Sequence, residues 1–236
     1  MGNRQDVGTD HFQDACNTQE VLAHLADCAK SLGFEYCAYG SQASWPLTRH
    51  RIEILSNYPK AWQARYAEQQ YLAIDPTVRH ARVSSAPIMW SNTVFASAPV
   101  LWNEAQSVGL RIGWVQGIRD VGNDGMLTLA RTHEFLSPAE LRDKAPHITW
   151  LAQLTHKTMV RLLLSGSASK DTPVLTDREV AVLRWTGDGK TAGETAAILQ
   201  ITERTVHFHI QNVMTKLGAV NKTAAVVQAA MLGLLR

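Results

Sequence analysis

The sequence predicts an α+β protein: an N-terminal α/β/α sandwich on an antiparallel sheet, plus a C-terminal all-α domain of four helices containing a helix-turn-helix. Three observations carry this. Short strand patterns and helical patterns follow one another irregularly over the first 163 residues, a breaker-rich stretch occupies 164–173, and beyond it three threonines head three helical patterns.

In the N-terminal part, Phe12, Val21, Leu22, Leu25, Cys28 and Leu32 share a helical spacing that ends at Gly33. Strands are predicted over Phe34 to Tyr39, Arg51 to Leu55, Pro87 to Trp90, Arg111 to Ile118 and Met126 to Ala130. Helices are predicted near 60–70 and 99–107. The order is no regular β-α alternation, so an antiparallel sheet with helices on both faces fits better than a doubly wound parallel sheet. Ser137-Pro138 then opens a long amphipathic helix through Leu141, Ile148, Leu151, Leu154 and Leu162. Most of its apolar face is expected on its own domain, with room for a dimer contact.

From Leu164 to Pro173 small, polar and breaker residues interrupt the helical pattern. The expected division is therefore 1–163, a linker at 164–173, and 174–236. In the last segment Thr176 precedes Glu179, and Thr191 precedes Glu194, by three residues, the spacing of a capping box. Gly189 is a left-handed C-cap, Gln200-Ile201 turns the chain into the next cap, Thr202, and Gly218 closes that third helix. Asn221 caps a fourth helix, whose apolar positions are Val226, Val227, Ala230 and Met231.

The third helix, Thr202 to Gly218, is the most informative segment. Its apolar stripe is Val206, Ile210, Val213, Met214 and Leu217, which leaves Arg204, Phe208, Gln211 and Thr215 on the opposite face. Residues 171–236 hold seven Lys or Arg against six Asp or Glu, but from Glu203 onward the balance is four to one. That late positive charge suits phosphates, and its modest size suits a dimer reading two half-sites. Candidate DNA contacts are Arg204, Phe208 and Gln211, with His207 on the flank and Lys190, Thr205, Asn212, Thr215 and Lys216 toward phosphates. An outward Phe208 has two readings, a thymine methyl or the surface of the other domain.

The chain has 236 residues, 45% of them apolar, and a net charge of +2, too small to imply general nucleic-acid or membrane binding. No run of eighteen apolar residues and no basic-then-apolar N-terminal segment occurs, so a cytoplasmic protein is expected. Cys16, Cys28 and Cys37 form no C-x-x-C pair and fit reduced thiols, and His207 and His209 diverge on their helix, so no metal site is expected.

One aromatic constellation stands out in the N-terminal part: Tyr58, Trp62, Tyr66, Tyr71, Asp75 and Thr77, followed by Trp90 and Trp102. Tyr58, Trp62 and Tyr66 are spaced to share one helix side if the helix starts that early. Residue types alone fit an ordinary aromatic core. Asp75-Pro76 points further, because a carboxylate buried among rings needs a donor, and a ligand amide N–H would be one.

Asn57-Tyr58-Pro59, Trp62, Tyr66, Tyr71, Asp75-Pro76, Trp90, Gly109-Leu110 and Gly113, then Thr176, Glu179, Leu183, Gly189-Lys190-Thr191 and Arg204-Thr205-Val206, resemble the LuxR-type quorum-sensing regulators across essentially the whole chain. The resemblance implies an N-acyl-homoserine-lactone receptor joined to a DNA-binding domain that reads a palindrome as a homodimer, with the lactone as its small molecule and no cofactor. It implies that Trp62 donates to the lactone carbonyl, Asp75 accepts the amide N–H, and Tyr58 and Thr128 hold the amide carbonyl. Tyr66 and Trp90 would wall the ring and chain, with Thr77, Trp102 and Leu110 completing the site. A neutral amphiphile with two carbonyls and one N–H matches such donors and one acceptor.

Two positions depart from the family pattern: Gln116-Gly117 where a proline often follows the strand, and Thr195 where an aliphatic residue commonly packs. The alternative is a ligand-independent or apo-active regulator with the same DNA-binding domain; other rival classes find no support. A phosphorylated receiver needs an acidic pair after a first strand and regular alternation, and a lactone-cleaving enzyme needs a nucleophile elbow or a histidine cluster, neither of which is present.

Overall fold

A computed structural model describes residues 9–43, 52–166 and 174–235. The described residues form two compact units, the first of residues 9–43 and 52–166 and the second of residues 174–235.

The first unit is built on a five-stranded antiparallel sheet of order β2-β1-β5-β4-β3. Its strands are β1 (Tyr36–Ala43), β2 (Ile52–Ser56), β3 (Ile88–Met89), β4 (Ile112–Ile118) and β5 (Asn123–Arg131). β4 is buried along its whole length. The two sheet faces differ in chemistry. Cys37, Tyr39, Trp114, Ile118, Leu127 and Leu129 point to one face and form the main core with α2 (Thr18–Ser31) and α6 (Pro138–Gly166). The other face is covered by α3 (Lys60–Glu68), α4 (Pro76–Ala81) and α5 (Pro99–Ser107), and there the aromatic constellation collects. This is the sandwich predicted from the irregular element order.

Three local features differ from the sequence reading. The helix expected from 12 to 32 is two helices, α1 (Thr9–Asp14) and α2, because Asn17 caps the second by accepting from the Gln19 and Glu20 amides at 3.0 and 2.9 Å. Before α4 the chain makes a 3₁₀ turn, Tyr71–Ala73, entered through Gln70 in the left-handed region (φ 52°). The long helix α6 runs to Gly166, so the first three residues of the expected linker are helical and the other seven lie outside the described residues.

The first unit is tied together by ion pairs. Arg131 grips Glu140 through both carboxylate oxygens at 2.9 and 3.1 Å, and Lys144 adds a third bond at 2.6 Å. These cations hold the Glu140 carboxyl down at about 2. Arg65 of α3 grips Glu104 of α5 at 2.9 and 2.8 Å, and the Tyr71 hydroxyl donates to the same carboxylate at 2.9 Å. Glu104 is likewise lowered to about 2, chiefly by Arg65 and then Tyr71.

The second unit contains α7 (Asp177–Gly187), α8 (Ala192–Leu199), α9 (Glu203–Leu217) and α10 (Lys222–Met231). Thr176 and Thr191 form the two capping boxes, and Thr202 and Asn221 cap α9 and α10. Gly189 and Gly218 take the left-handed conformation expected of helix ends, and so does Gln200 in the tight turn between α8 and α9. The face of α10 is rotated from the expected one: Ala225 and Ala229 are buried and Ala230 is exposed. The small alanines let α10 approach α7 and α9 closely, and their burial outranks the larger valines.

Candidate ligand site and nucleic-acid face

Between the sheet and α3–α5 the first unit holds a partly open cavity of about 960 Å³. Tyr58, Trp62, Tyr66, Asp75, Thr77, Trp90, Leu110 and Thr128 all line it. Trp62 is buried against Tyr66 and Tyr71, with ring centroids 6.0 Å from each, so the α3 helix and the following 3₁₀ turn present one continuous aromatic wall. Thr128 stands on β5 opposite Ala38 of β1, which places its hydroxyl on the cavity face of the sheet. Burial holds the Tyr58 and Tyr66 phenols far above their ordinary range, and nearby Asp75 adds to this, so both stay neutral donors.

Trp102 is the exception among the expected residues. It lies behind the wall, stacked on Phe95 at 4.7 Å and edge-on to Trp90 at 6.0 Å, with its indole N–H donated to Asn92 at 2.7 Å. Its indole N–H is thus used inside the protein, and Phe95 takes its place in the lining. Trp90 lies against Gly113, where an added Cβ would sit 2.2 Å from the indole. Only glycine permits that contact. The Trp90 indole N–H is buried and finds no hydrogen-bond partner among the described residues.

Asp75 already has donors within the protein. One carboxylate oxygen accepts the Thr77 amide at 2.8 Å and the Thr77 hydroxyl at 2.6 Å, capping α4; the other accepts the Tyr66 hydroxyl at 2.9 Å. The donor that a buried carboxylate needs, expected from a ligand amide, is thus already supplied within the protein by Tyr66 and Thr77. The spacing of Tyr66 and Asp75 gave no sign of this pair, because the turn through Gln70 creates it.

The sequence reading also missed the sheet floor and the far end of the cavity. Ala38, Gly40, Gln42, Met126 and Asp124 line it, together with Ile52 and Ile54 of β2, whose side chains are 39% and 53% exposed at its opening. Alternation along β1 was the available signal, since Ala38, Gly40 and Gln42 share one face. Gln116 and Gly117 act beside this site. Gln116 donates to the Ser85 carbonyl at 2.5 Å, and Gly117 lets the chain after α4 lie against β4, where a Cβ would meet the Ser84 carbonyl at 2.3 Å.

In the second unit α9 carries the predicted two faces. Val206, Val213 and Leu217 are buried, Ile210 and Met214 are partly buried, and Arg204, His207, Phe208, Gln211 and Thr215 are exposed. Phe208 is 60% exposed. Thr205 shares a hydrogen bond with the Thr202 hydroxyl at 2.9 Å, Thr215 donates back to the Gln211 carbonyl at 3.0 Å, Asn212 is half-buried, and Lys190 is exposed after α7. Lys216 is committed elsewhere: its ammonium donates to Glu179 at 2.7 Å and to the Val174 carbonyl at 3.1 Å. Burial opposes the Glu179 charge, but bonds from Lys216 and Thr176 outweigh it and hold the carboxyl below its usual range. Lys216 thus ties α9 to α7, with its side chain 37% exposed.

Two family models match the chain: "Autoinducer binding domain" over residues 17–159 and "Bacterial regulatory proteins, luxR family" over residues 173–229. The chain belongs to the LuxR family of quorum-sensing transcriptional regulators. This LuxR-family regulator is 43% identical to the transcriptional activator protein AnoR of Acinetobacter nosocomialis, over 93% of each chain. It is 37% identical to the quorum-sensing regulator RhlR of Pseudomonas aeruginosa, over 95% of this chain and 93% of that protein. The crystal structure of SdiA from Escherichia coli superimposes with a TM-score of 0.77 at 31% identity, covering 96% of this chain and 95% of that one. A second SdiA structure, in complex with octanoyl-rac-glycerol, gives 0.76 at 31% identity, over 95% of this chain and 92% of that one. The family is one of regulators, not enzymes. Among the described residues no helix is long and apolar enough to cross a membrane.

Proposed function

We propose that this LuxR-family regulator binds an N-acyl-homoserine lactone in the cavity of its first unit and, as a homodimer, reads a palindromic promoter element through α9 in the cytoplasm. The observation that carries the ligand reading is the grouping of Tyr58, Trp62, Asp75 and Thr128 around one largely apolar cavity. Trp62 donates to the lactone carbonyl, Tyr58 and Thr128 hold the amide carbonyl, and Asp75 accepts the amide N–H on the oxygen shared with Tyr66. Trp90 and Leu110 flank the ring. No cofactor is needed for binding alone. Arg204, Phe208 and Gln211 face base edges, with His207, Lys190, Thr205, Asn212 and Thr215 toward the backbone.

A second reading is favoured by the satisfied state of Asp75 and by the acylglycerol bound in the SdiA structure: a neutral acyl amphiphile whose hydroxyl replaces the amide N–H. Mass spectrometry of small molecules that copurify with the full chain, expressed in a host producing acyl lactones, separates the two. A lactone that is lost from Trp62→Phe supports the first reading; an acylglycerol retained in its place supports the second. Arg204→Ala and Gln211→Ala are expected to weaken operator binding without changing ligand capture, and unchanged footprints in both would contradict the DNA assignment.

A further inference from the structure

The cavity floor is a strip of paired residues whose chemistry changes along its length. Ala38 lies opposite Thr128, Gly40 opposite Met126, and Gln42 opposite Asp124. All six line the cavity. A hydroxyl thus stands at one end, a wholly apolar step in the middle, and an amide with a carboxylate at the other, where Asp124 pairs with Arg119 at 3.2 Å. Four residues of strand separate the two polar ends, about 14 Å at the usual rise. α4 offers a second measure across the cavity. Asp75 at its start and Arg82 just past its end both line the space, and the seven-residue interval spans about 10 Å.

An extended acyl chain advances about 1.3 Å per carbon–carbon bond, from bonds of about 1.5 Å at tetrahedral angles. Spans of about 10 to 14 Å therefore take up about eight to eleven bonds. This inference rests on the acyl-ligand reading above, with the amide carbonyl held at Tyr58 and Thr128. We propose that the cavity selects acyl groups of about nine to twelve carbons, and that Gly40 determines this by keeping the middle of the floor open.

A butanoyl group ends before it reaches Gly40 and Met126, leaving apolar surface without contacts. Each methylene added beyond it removes apolar area from water and tightens binding about fourfold, until the chain reaches the polar end at Gln42, Arg82 and Asp124 beside the opening at Ile52, where further carbons gain no apolar contact. Gly40 has no conformational need to be glycine. Its φ is not positive, and a Cβ there would find only the Glu53 carbonyl, at 4.0 Å. A side chain at this position enters the cavity without striking the fold, and valine suits a strand.

The test follows ligand-dependent thermal stabilisation of the full chain in lysates of a host that makes no acyl lactone, using N-butanoyl-, N-octanoyl-, N-decanoyl- and N-dodecanoyl-homoserine lactone. The half-maximal concentration for decanoyl or dodecanoyl is expected about a thousandfold or more below that for butanoyl. Gly40→Val is expected to raise the decanoyl value by about tenfold or more while leaving butanoyl within about threefold. If that variant does not fold, Gly40→Ala is expected to shift the decanoyl-to-butanoyl ratio in the same sense. A butanoyl optimum in the parent chain, or ratios unchanged by both substitutions, overturns the proposal while the lactone reading stands. Failure of every lactone to stabilise the chain overturns that reading, and the length selection with it.

Discussion

Asp75 carries two loads on one carboxylate. Its first oxygen caps α4 through Thr77, and its second accepts Tyr66 across the cavity wall. Asparagine caps a helix about as well as aspartate, so Asp75→Asn is expected to keep the fold while its weaker acceptor raises the half-maximal ligand concentration about tenfold or more. An unchanged dose response would remove Asp75 from the site. Tyr66→Phe tests the shared oxygen. The unliganded chain should lose about 1 kcal/mol, and ligand should restore a larger part of its melting temperature than in the parent, because the amide N–H then fills a vacant position. Equal ligand-induced shifts in both chains would show that the two donors do not share it. The rings and the acid of this site were legible as residue types in a short stretch, whereas the Tyr66–Asp75 pair depends on a left-handed Gln70 that no residue preference announces.

Secondary elements with strong chemical end signals were legible, and those set by packing were not. Each of the Thr and Asn caps in the second unit bonds the amide that its spacing specified. The face of α10 was misread because hydrophobicity favoured valines while close helix approach favours alanines. Thr195 illustrates the same competition. It is 1% exposed on α8, and its hydroxyl has no partner among the described residues. Thr195→Val keeps the shape and removes an unsatisfied polar group, so the second unit should gain about 1 kcal/mol, read as a raised unfolding midpoint. A lower midpoint would mean that the hydroxyl is bonded. Gly113→Ala works in the opposite direction: its Cβ meets the Trp90 indole, and the expected loss is about 1 to 3 kcal/mol with reduced ligand response. Wild-type stability and response in that variant would contradict the close packing of Trp90 on β4.

At the scale of the whole chain, acid and ligand both act on the first unit, which holds the Glu104 and Glu140 ion pairs as well as the cavity. Glu104 and Glu140 have folded-state values near 2 against an ordinary 4.5. Because both are lowered, their contribution is complete above about pH 4.5 and is lost as pH falls toward 2. The melting temperature of the ligand-binding unit is expected to fall across that window, and Glu140→Gln should flatten the fall; an equally steep loss in the variant would place the acid sensitivity elsewhere. The order of the two units and the family were readable from motifs in both halves, while the length of the cavity needed strand register, which a sequence specifies only once strands are paired. Ligand can influence DNA binding only through its differential affinity for the DNA-competent state, and the effect must be reciprocal. The direct measurement is fluorescence anisotropy of the full chain on a palindromic fragment recovered by in vitro selection, with and without N-decanoyl-homoserine lactone. Lactone is expected to shift operator affinity about fivefold or more in the parent chain, and Asp75→Asn to require about tenfold more lactone for the same shift. Identical operator affinity with and without every lactone tested would contradict this coupling.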